Sequence, residues 1–326
     1  MFKNKILCSI GTRGRYDSTL PLALQSIILQ NKKVDKLVIF DDNDTPRDVR
    51  NDLIYQNLFM MMDLKGISWE WIYAEKKGTH YNHQKANCMG YEWVWRMDDD
   101  AIAEPNTLEN LWKYIGPEVG AIGGSILTPP FKIGLNSTGK IEDIEVEQNL
   151  QWDYIDKVKE VDHLHCSFLY RAGIHDYNLM LSKVAHREET LFTYGLKQRG
   201  YKILIVPAVT WHLKNKIGGI RDGVAAMYEH DEKIFREIIK LKDRTIVVLD
   251  NGLGDHIVFK HVLSEIKNPV IFSCYPEIIP GQSISDARAL LNDGIEDYNI
   301  YRKMDEWNWK GSLEDAFRKL YVRKQL

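Results

Sequence analysis

Glu92-Trp93-Val94-Trp95-Arg96-Met97-Asp98-Asp99-Asp100 (residues 92–100) runs from an apolar stretch directly into three adjacent carboxylates. Trp93 to Met97 has the length and composition of a buried strand. Pro105, shortly after, suits the first turn of a helix over Pro105 to Tyr114. The triplet therefore stands at the carboxyl end of a strand. Three neighbouring carboxylates repel one another unless a cation or turn donors neutralise them. A hard divalent ion such as Mg²⁺ or Mn²⁺ prefers such oxygen ligands and often bridges to substrate phosphates. Taken alone, the triplet equally fits an acidic turn that caps the next helix.

The same arrangement recurs towards the N-terminus. Lys5 to Ile10 is a short apolar run that stops at Gly11-Thr12-Arg13-Gly14, a strand and then a turn. Leu20, Leu24, Ile27 and Ile28 give Asp17 to Gln30 a helical spacing. Lys36 to Phe40 is a second strand, ending at Asp41-Asp42-Asn43-Asp44, and a helix from about Pro46 to Met62 follows. Ser68 to Tyr73 is a third strand, and Tyr81 to Glu92 is expected to be helical. Strands alternating with helices predict an α/β fold: a mainly parallel sheet with helices on both faces. Ligands of such sheets bind beyond the carboxyl ends of the strands. The polar clusters at Thr12-Arg13, Asp41-Asp42 and Asp98 to Asp100 all fall there.

Beyond the triplet, Val119 to Ile122 is expected as a strand and Thr128 to Asp156 as an irregular segment on the acceptor side. Val158 to Tyr170 is expected as a strand, Glu188 to Arg199 as a helix and Lys202 to Val206 as a strand. A charged helix from Met227 to Leu241 closes the domain. A carboxylate at a helix start, as at Glu188-Glu189, is favoured by the helix dipole and also suits a general base. His212, after the strand, is either an ordinary strand-end histidine or a metal ligand.

Composition narrows the function classes. The 326 residues are 44% hydrophobic and 27% charged, which predicts a folded globular chain. A net charge of −3 gives no global basic field for nucleic acid or membrane. Cys8, Cys88, Cys166 and Cys274 show no metal-ligand spacing and are expected to be buried thiols of a reducing compartment. Met1 to Cys8 lacks the apolar run of a signal peptide, and no stretch reaches the length of a membrane span. The expectation is a cytoplasmic protein with no transmembrane segment.

Taken in order, these motifs resemble family 2 glycosyltransferases of the GT-A fold. Ile6 to Gln30 is similar to that family's opening strand, turn and helix. Val38-Ile39-Phe40-Asp41-Asp42-Asn43 is similar to its nucleoside-binding strand end. Arg96 to Asp100, with Pro105, resembles its DXD strand. Arg187-Glu188-Glu189, Gly200-Tyr201 and Trp211-His212 resemble its closing stretch. The resemblance covers about residues 5–215 and implies a metal-dependent, inverting transfer of a sugar from a nucleotide-diphosphate donor, UDP-sugar foremost, to a hydroxyl acceptor. It implies that Thr12 and Asp42 contact the nucleoside, with Arg13 among the residues that bind the nucleotide sugar. By the same resemblance Asp100 would bind Mn²⁺ or Mg²⁺, with Asp98 or Asp99 assisting or holding the ribose. It likewise implies Glu189 as the base, His212 as a metal or diphosphate ligand, and Lys85 as a phosphate contact. This chain departs from the family at two points. Its base is Glu where Asp is common, and the Arg-Asn pair usual after the third strand is not cleanly present near Asn87.

A boundary is expected near Asp243, giving a GT-A domain over 1–243 and a small α/β accessory subdomain over 244–326. Thr245 to Asp250, the Gly252-Leu253-Gly254-Asp255 turn, a helix from His256 to Ile266 and a strand from Val270 to Cys274 form a βαβ opening. That opening resembles the first unit of family 9 heptosyltransferases, but too few residues remain for that family's two domains. Trp307 and Trp309 suit packing, or an aromatic platform. Two rival functions stand beside transfer. A sugar-nucleotide pyrophosphorylase fits Gly11-Thr12-Arg13 but lacks the preceding glycines and a close Pro. A non-catalytic nucleotide-sugar-binding module is disfavoured by the retained carboxylates. The acceptor stays open between polysaccharide, lipid-linked glycan, protein and a hydroxymethylated nucleic-acid base, the last not favoured by the net charge.

Overall fold

The computed structural model describes residues 2–128, 139–141, 144, 150–213 and 225–239, together with the strand segments 245–249, 269–273, 300–303 and 320–323. In chain order the elements are β1 (Phe2–Thr12), α1 (Leu20–Ile28), β2 (Lys36–Asp41), α2 (Leu53–Leu64), β3 (Ser68–Tyr73), α3 (Thr79–Asn87), β4 (Tyr91–Asp98), β5 (Ala101–Ala103), α4 (Thr107–Trp112), β6 (Val119–Leu127), β7 (Lys159–Val161), β8 (Phe168–Arg171), α5 (Glu188–Gln198), β9 (Lys202–His212) and α6 (Ala225–Ile239). The strands form one sheet in the order β3-β2-β1-β4-β8-β6-β9-β5, with β7 paired to β9. β3, β2, β1 and β4 run parallel, whereas β8 is antiparallel to both β4 and β6.

Side-chain alternation along each strand explains why both faces are covered. Ile6, Cys8 and Ile10 of β1, Leu37 and Ile39 of β2, and Trp93, Trp95 and Met97 of β4 join one core with α1, α2 and α4. Leu7, Val38, Phe40 and Val94 point the other way, into a core with Ala86 of α3 and Phe192 and Leu196 of α5. Period-two patterning with apolar residues on both faces is what a sheet sandwiched between helices requires. The register pairs Thr12 with Asp41 and Gly11 with Asp98, so the three polar strand ends are level on one edge.

Several elements differ from the sequence expectation. Val158 to Tyr170 is two short strands, not one. Between them the backbone is captured by side chains: Leu164 N donates to Thr193 Oγ1 at 3.0 Å and His165 N to Gln151 Oε1 at 2.5 Å. The expected helix over Tyr81 to Glu92 ends at Asn87. Gly90 takes a left-handed φ of 81° and frees the following residues for β4. β9 runs on past Val206 to His212; the register against β6 shifts between Gly123 and Ser125, and Pro207, which has no N–H to donate, sits at that irregularity. β5 was not foreseen. It pairs Ala101 with His212 and so ties the carboxylate triplet to the end of β9. Cys8 and Cys166 are buried as expected, but Cys88 is exposed.

The chain divides into two compact units, the larger ending at Ile239 and the smaller comprising Lys240–Leu326 together with Leu135–Thr138 and Glu142–Gln148. In the smaller unit β10 (Thr245–Leu249) lies parallel between β11 (Pro269–Ser273) and β12 (Ile300–Lys303), and β13 (Leu320–Arg323) is antiparallel to β12. The glycine turn at 252–255, the helix expected at 256–266, Trp307 and Trp309 lie outside the described residues, as does most of 128–149. Among the described residues no helix is long and apolar enough to cross a membrane.

Candidate active site

The turn after β1 folds back onto the carboxylate triplet. Asp99 is buried and accepts hydrogen bonds from Thr12 Oγ1 at 2.8 Å and from Arg13 N at 3.4 Å. Arg15 Nη1 bridges Asp99 and Asp100, lying 2.9 Å from the latter. Burial, helped by the Asp100 charge and opposed by Arg15 and Thr12, pushes the Asp99 carboxyl up to about 7. Asp99 thus fastens the turn to the end of β4. Arg13 reaches outward, 2.6 Å from Asp44.

The end of β2 holds two unlike aspartates. Asp41 accepts from Tyr16 OH, from Trp71 Nε1 at 3.2 Å and from Asn43 Nδ2 at 2.7 Å, so it is committed to the loop. Asp42 is buried with neither carboxylate oxygen hydrogen-bonded, and the Asn82 amide nitrogen of α3 is likewise unpartnered. Burial drives the Asp42 carboxyl up, and the neighbouring Asn82 and Arg13 only partly offset this. Buried polar groups are costly without good partners, so Asp42 and Asn82, which face each other, are candidates for contacting a ligand. Gly11 lets α3 come close, because a Cβ there would sit 3.3 Å from Thr79 Oγ1. Lys85, by contrast, lies on the exposed side of α3, 2.7 Å from Glu75.

A single buried guanidinium organises the other side. Arg96 Nη2 donates to Glu188 Oε1 at 2.7 Å, to Glu189 Oε1 at 3.1 Å and to Asp98 Oδ1 at 3.3 Å. Its Nε donates to His83 Nε2 at 3.0 Å, which leaves the His83 proton on Nδ1, 3.3 Å from Ser9 Oγ. Burial, and then the Arg96 charge, hold His83 well below its ordinary pKa, in the neutral form this arrangement needs. Glu188 and Glu189 open α5 after Arg187, whose φ of 66° is left-handed. α6 secures that entry. Buried Asp231 accepts from Ser182 N at 2.6 Å, Ser182 Oγ at 2.9 Å and His186 N at 2.8 Å.

The residues present fit a divalent cation. Asp98, Cys166 and His212 each offer a ligand atom, all within 4.8 Å of one another. His212 Nε2 also lies 3.3 Å from Asp100 Oδ1. Burial opposes ionisation of Asp100, but His212 and Arg15 hold its carboxyl below the ordinary value. Asp98, Asp99, Asp100, Glu188 and Glu189 gather around the guanidiniums of Arg15 and Arg96, an acidic cluster whose mutual repulsion a cation would further relieve. The structure therefore brings Thr12, Asp98, Asp99, Asp100, Glu189 and His212 to one edge, with Asp42 and Arg13 beside them. Lys85 is not among them. Arg15, Asn82, Arg96 and Cys166 were missed from the sequence. Arg96 carried a signal, as a lone charge inside an apolar strand needs a buried counter-ion.

The family model described as glycosyl transferase family 2 matches residues 10–178, just over half of the chain. No curated protein matches it. Among solved structures, S. aureus TarS 1-349 in complex with UDP-GlcNAc is 14% identical, with a TM-score of 0.53 over 73% of this chain and 67% of that one. GalNAc-T7 with UDP, GalNAc and Mn²⁺ is 11% identical, with a TM-score of 0.52 over 71% of this chain and 47% of that one. At such identities the likeness is one of fold, and the chain spans about half the length of GalNAc-T7. With the sheet and helices in GT-A order and the family model spanning β1 to β8, the chain belongs to glycosyl transferase family 2.

Proposed function

We propose that this glycosyltransferase moves a sugar from a UDP-sugar to a hydroxyl of a glycan acceptor, inverting the anomeric centre, with Mn²⁺ or Mg²⁺ as cofactor. The observation that carries the reading is the meeting, on one sheet edge, of a buried acidic pair at the start of α5 with the Asp98–His212 cluster. TarS and GalNAc-T7, which share the fold, were solved with UDP or a UDP-sugar, and the latter with Mn²⁺.

In this reading the unpartnered Asp42 carboxylate and Asn82 amide take the base, an acceptor beside a donor as uracil requires. Thr12 and Arg13 border the ribose, and Asp99 holds their turn in place. Asp98, Asp100 and His212 hold the cation, which when bound stabilises charge growing on the leaving diphosphate. Glu189 takes the proton of the acceptor hydroxyl as its oxygen attacks the anomeric carbon and the bond to the diphosphate breaks. Attack opposite the leaving group inverts the centre. Lys85 reaches a phosphate only by leaving Glu75. We assign this chemistry to residues 1–243 and an accessory role to 244–326. A hydroxymethylated nucleobase is the second acceptor class, disfavoured by the net charge of −3.

A panel of nucleotide sugars tests this with the full chain, by calorimetry and by slow hydrolysis, with Mn²⁺ and with excess chelator. One donor is expected to bind and hydrolyse only with metal, and Asp100→Ala to abolish both. Full activity in chelator contradicts the metal assignment. Pyrophosphate release from a nucleoside triphosphate and a sugar phosphate favours the pyrophosphorylase, and tight binding without turnover favours the binding module.

A further inference from the structure

We infer that Cys166 is itself a ligand of the cation, making the centre a mixed sulfur, nitrogen and oxygen site that selects transition metals over Mg²⁺. This rests on the reading above that Asp98 and His212 hold a cation. Three segments far apart in sequence converge here. Asp98 ends β4, His212 ends β9, and Cys166 lies in the turn before β8. Their ligand atoms lie within 4.8 Å of one another.

The Cys166 backbone is itself unusual. Its φ of 57° is left-handed, a conformation that is unfavourable for a non-glycine residue and is retained where the surroundings impose it. The neighbouring contacts do impose it. Cys166 N donates to Glu189 Oε1 at 3.4 Å, and Ser167 Oγ lies 2.9 Å from Met97 Sδ. The main chain of Cys166 thus touches the acidic pair of α5 while its thiol faces the cation cluster. A buried cysteine commonly serves as a small apolar filler. A filler has no need of a carboxylate and an imidazole beside its sulfur, and Cys166 has both.

The donor set decides the metal. Thiolate and imidazole suit Mn²⁺ less than Co²⁺ or Zn²⁺, but all three better than Mg²⁺, which demands oxygen in near-ideal octahedral geometry. A coordinating thiol gives up its proton, here to solvent, when the ion binds.

Cobalt(II) titration of the full chain reads this directly, in a Cys88→Ser, Cys274→Ser background that removes these two thiols as competing ligands. The expected result is a near-ultraviolet thiolate-to-cobalt charge-transfer band that saturates at one equivalent. Mn²⁺ is expected to displace the cobalt at far lower concentration than Mg²⁺. Adding Cys166→Ser should abolish the band and narrow that gap by at least about 10-fold, the lower end of what losing even an outer partner costs a metal site. If Cys166→Ser fails to fold, the band in the background protein decides. Visible cobalt bands without the charge-transfer band overturn the Cys166 assignment and leave Asp98 and His212 as ligands. No cobalt spectrum, together with no heat on adding Mn²⁺, overturns both readings.

Discussion

Arg96 Nη2 lies 2.7 Å from Glu188 and 3.1 Å from Glu189, so one nitrogen of a fully buried guanidinium serves two adjacent carboxylates. Removing one partner of a buried pair leaves the other charges uncompensated, at a cost of about 3–5 kcal/mol. Arg96→Met should destabilise the larger unit by that amount. Arg96→Lys should recover part of it, since an ammonium keeps the charge but cannot hold His83 and the carboxylates together. Urea unfolding followed by circular dichroism measures both. A loss under about 1 kcal/mol for Arg96→Met would mean that the carboxylates find other partners.

Asp231 should matter to catalysis without touching substrate. It accepts three hydrogen bonds from Ser182 and His186, in the loop that leads into α5. A hydrogen bond to a charged group contributes about 1.5–3 kcal/mol. Asp231→Ala should lower the melting temperature and the rate of transfer while leaving donor affinity within about threefold, because the proposed nucleoside contacts lie on other elements. Equal losses of affinity and rate would show that α6 supports the whole site.

His80 sets a pH dependence of stability. Burial holds its pKa down to about 4, from an ordinary 6.5. Between these values the unfolded chain binds the proton and the folded one does not. Stability therefore rises with pH across this window, and it is lost as pH falls from 6.5 through 4. His80→Leu should flatten that stretch of the stability–pH curve. An unchanged slope would assign it to other groups.

The parallel half of the sheet was legible because β1, β2 and β4 carry apolar runs that stop at Thr12, Asp41 and Asp98. The level strand ends, and with them most of the candidate site, followed from that alone. The other half was less legible for physical reasons. β5 is three residues long and exists only by pairing with β9, which no local pattern encodes. The turn over 162–167 gives its backbone hydrogen bonds to Thr193 and Gln151, partners distant in sequence. Cys166 has no metal-ligand spacing in the chain, because its neighbours Asp98 and His212 reach it by folding. Lys85, offered as a phosphate contact by the family resemblance, pairs with Glu75 at 2.7 Å, a partner that the spacing of the sequence does not reveal.

The proposed donor contacts all precede residue 214 and lie in the larger unit, which ends at Ile239. A chain ending at Asp243 should fold and bind the donor with Mn²⁺ as the full chain does. Circular dichroism followed by calorimetric titration of both checks this. A folded but non-binding shortened chain would move part of the donor site into 244–326, with the Gly252-Leu253-Gly254-Asp255 turn as the first suspect.

Glu189 is proposed to take the acceptor's proton at a site that holds the donor by other residues. The most direct measurement is the rate of sugar release from the bound donor, with water as the acceptor, in Glu189→Gln and in the unchanged chain, with donor affinity measured alongside. The substitution preserves shape and removes the ability to accept a proton. The predicted result is a rate lower by about 10²–10⁴-fold, the usual range for a lost general base, at nearly unchanged affinity. A near-normal rate in Glu189→Gln would contradict the account and turn attention to Glu188.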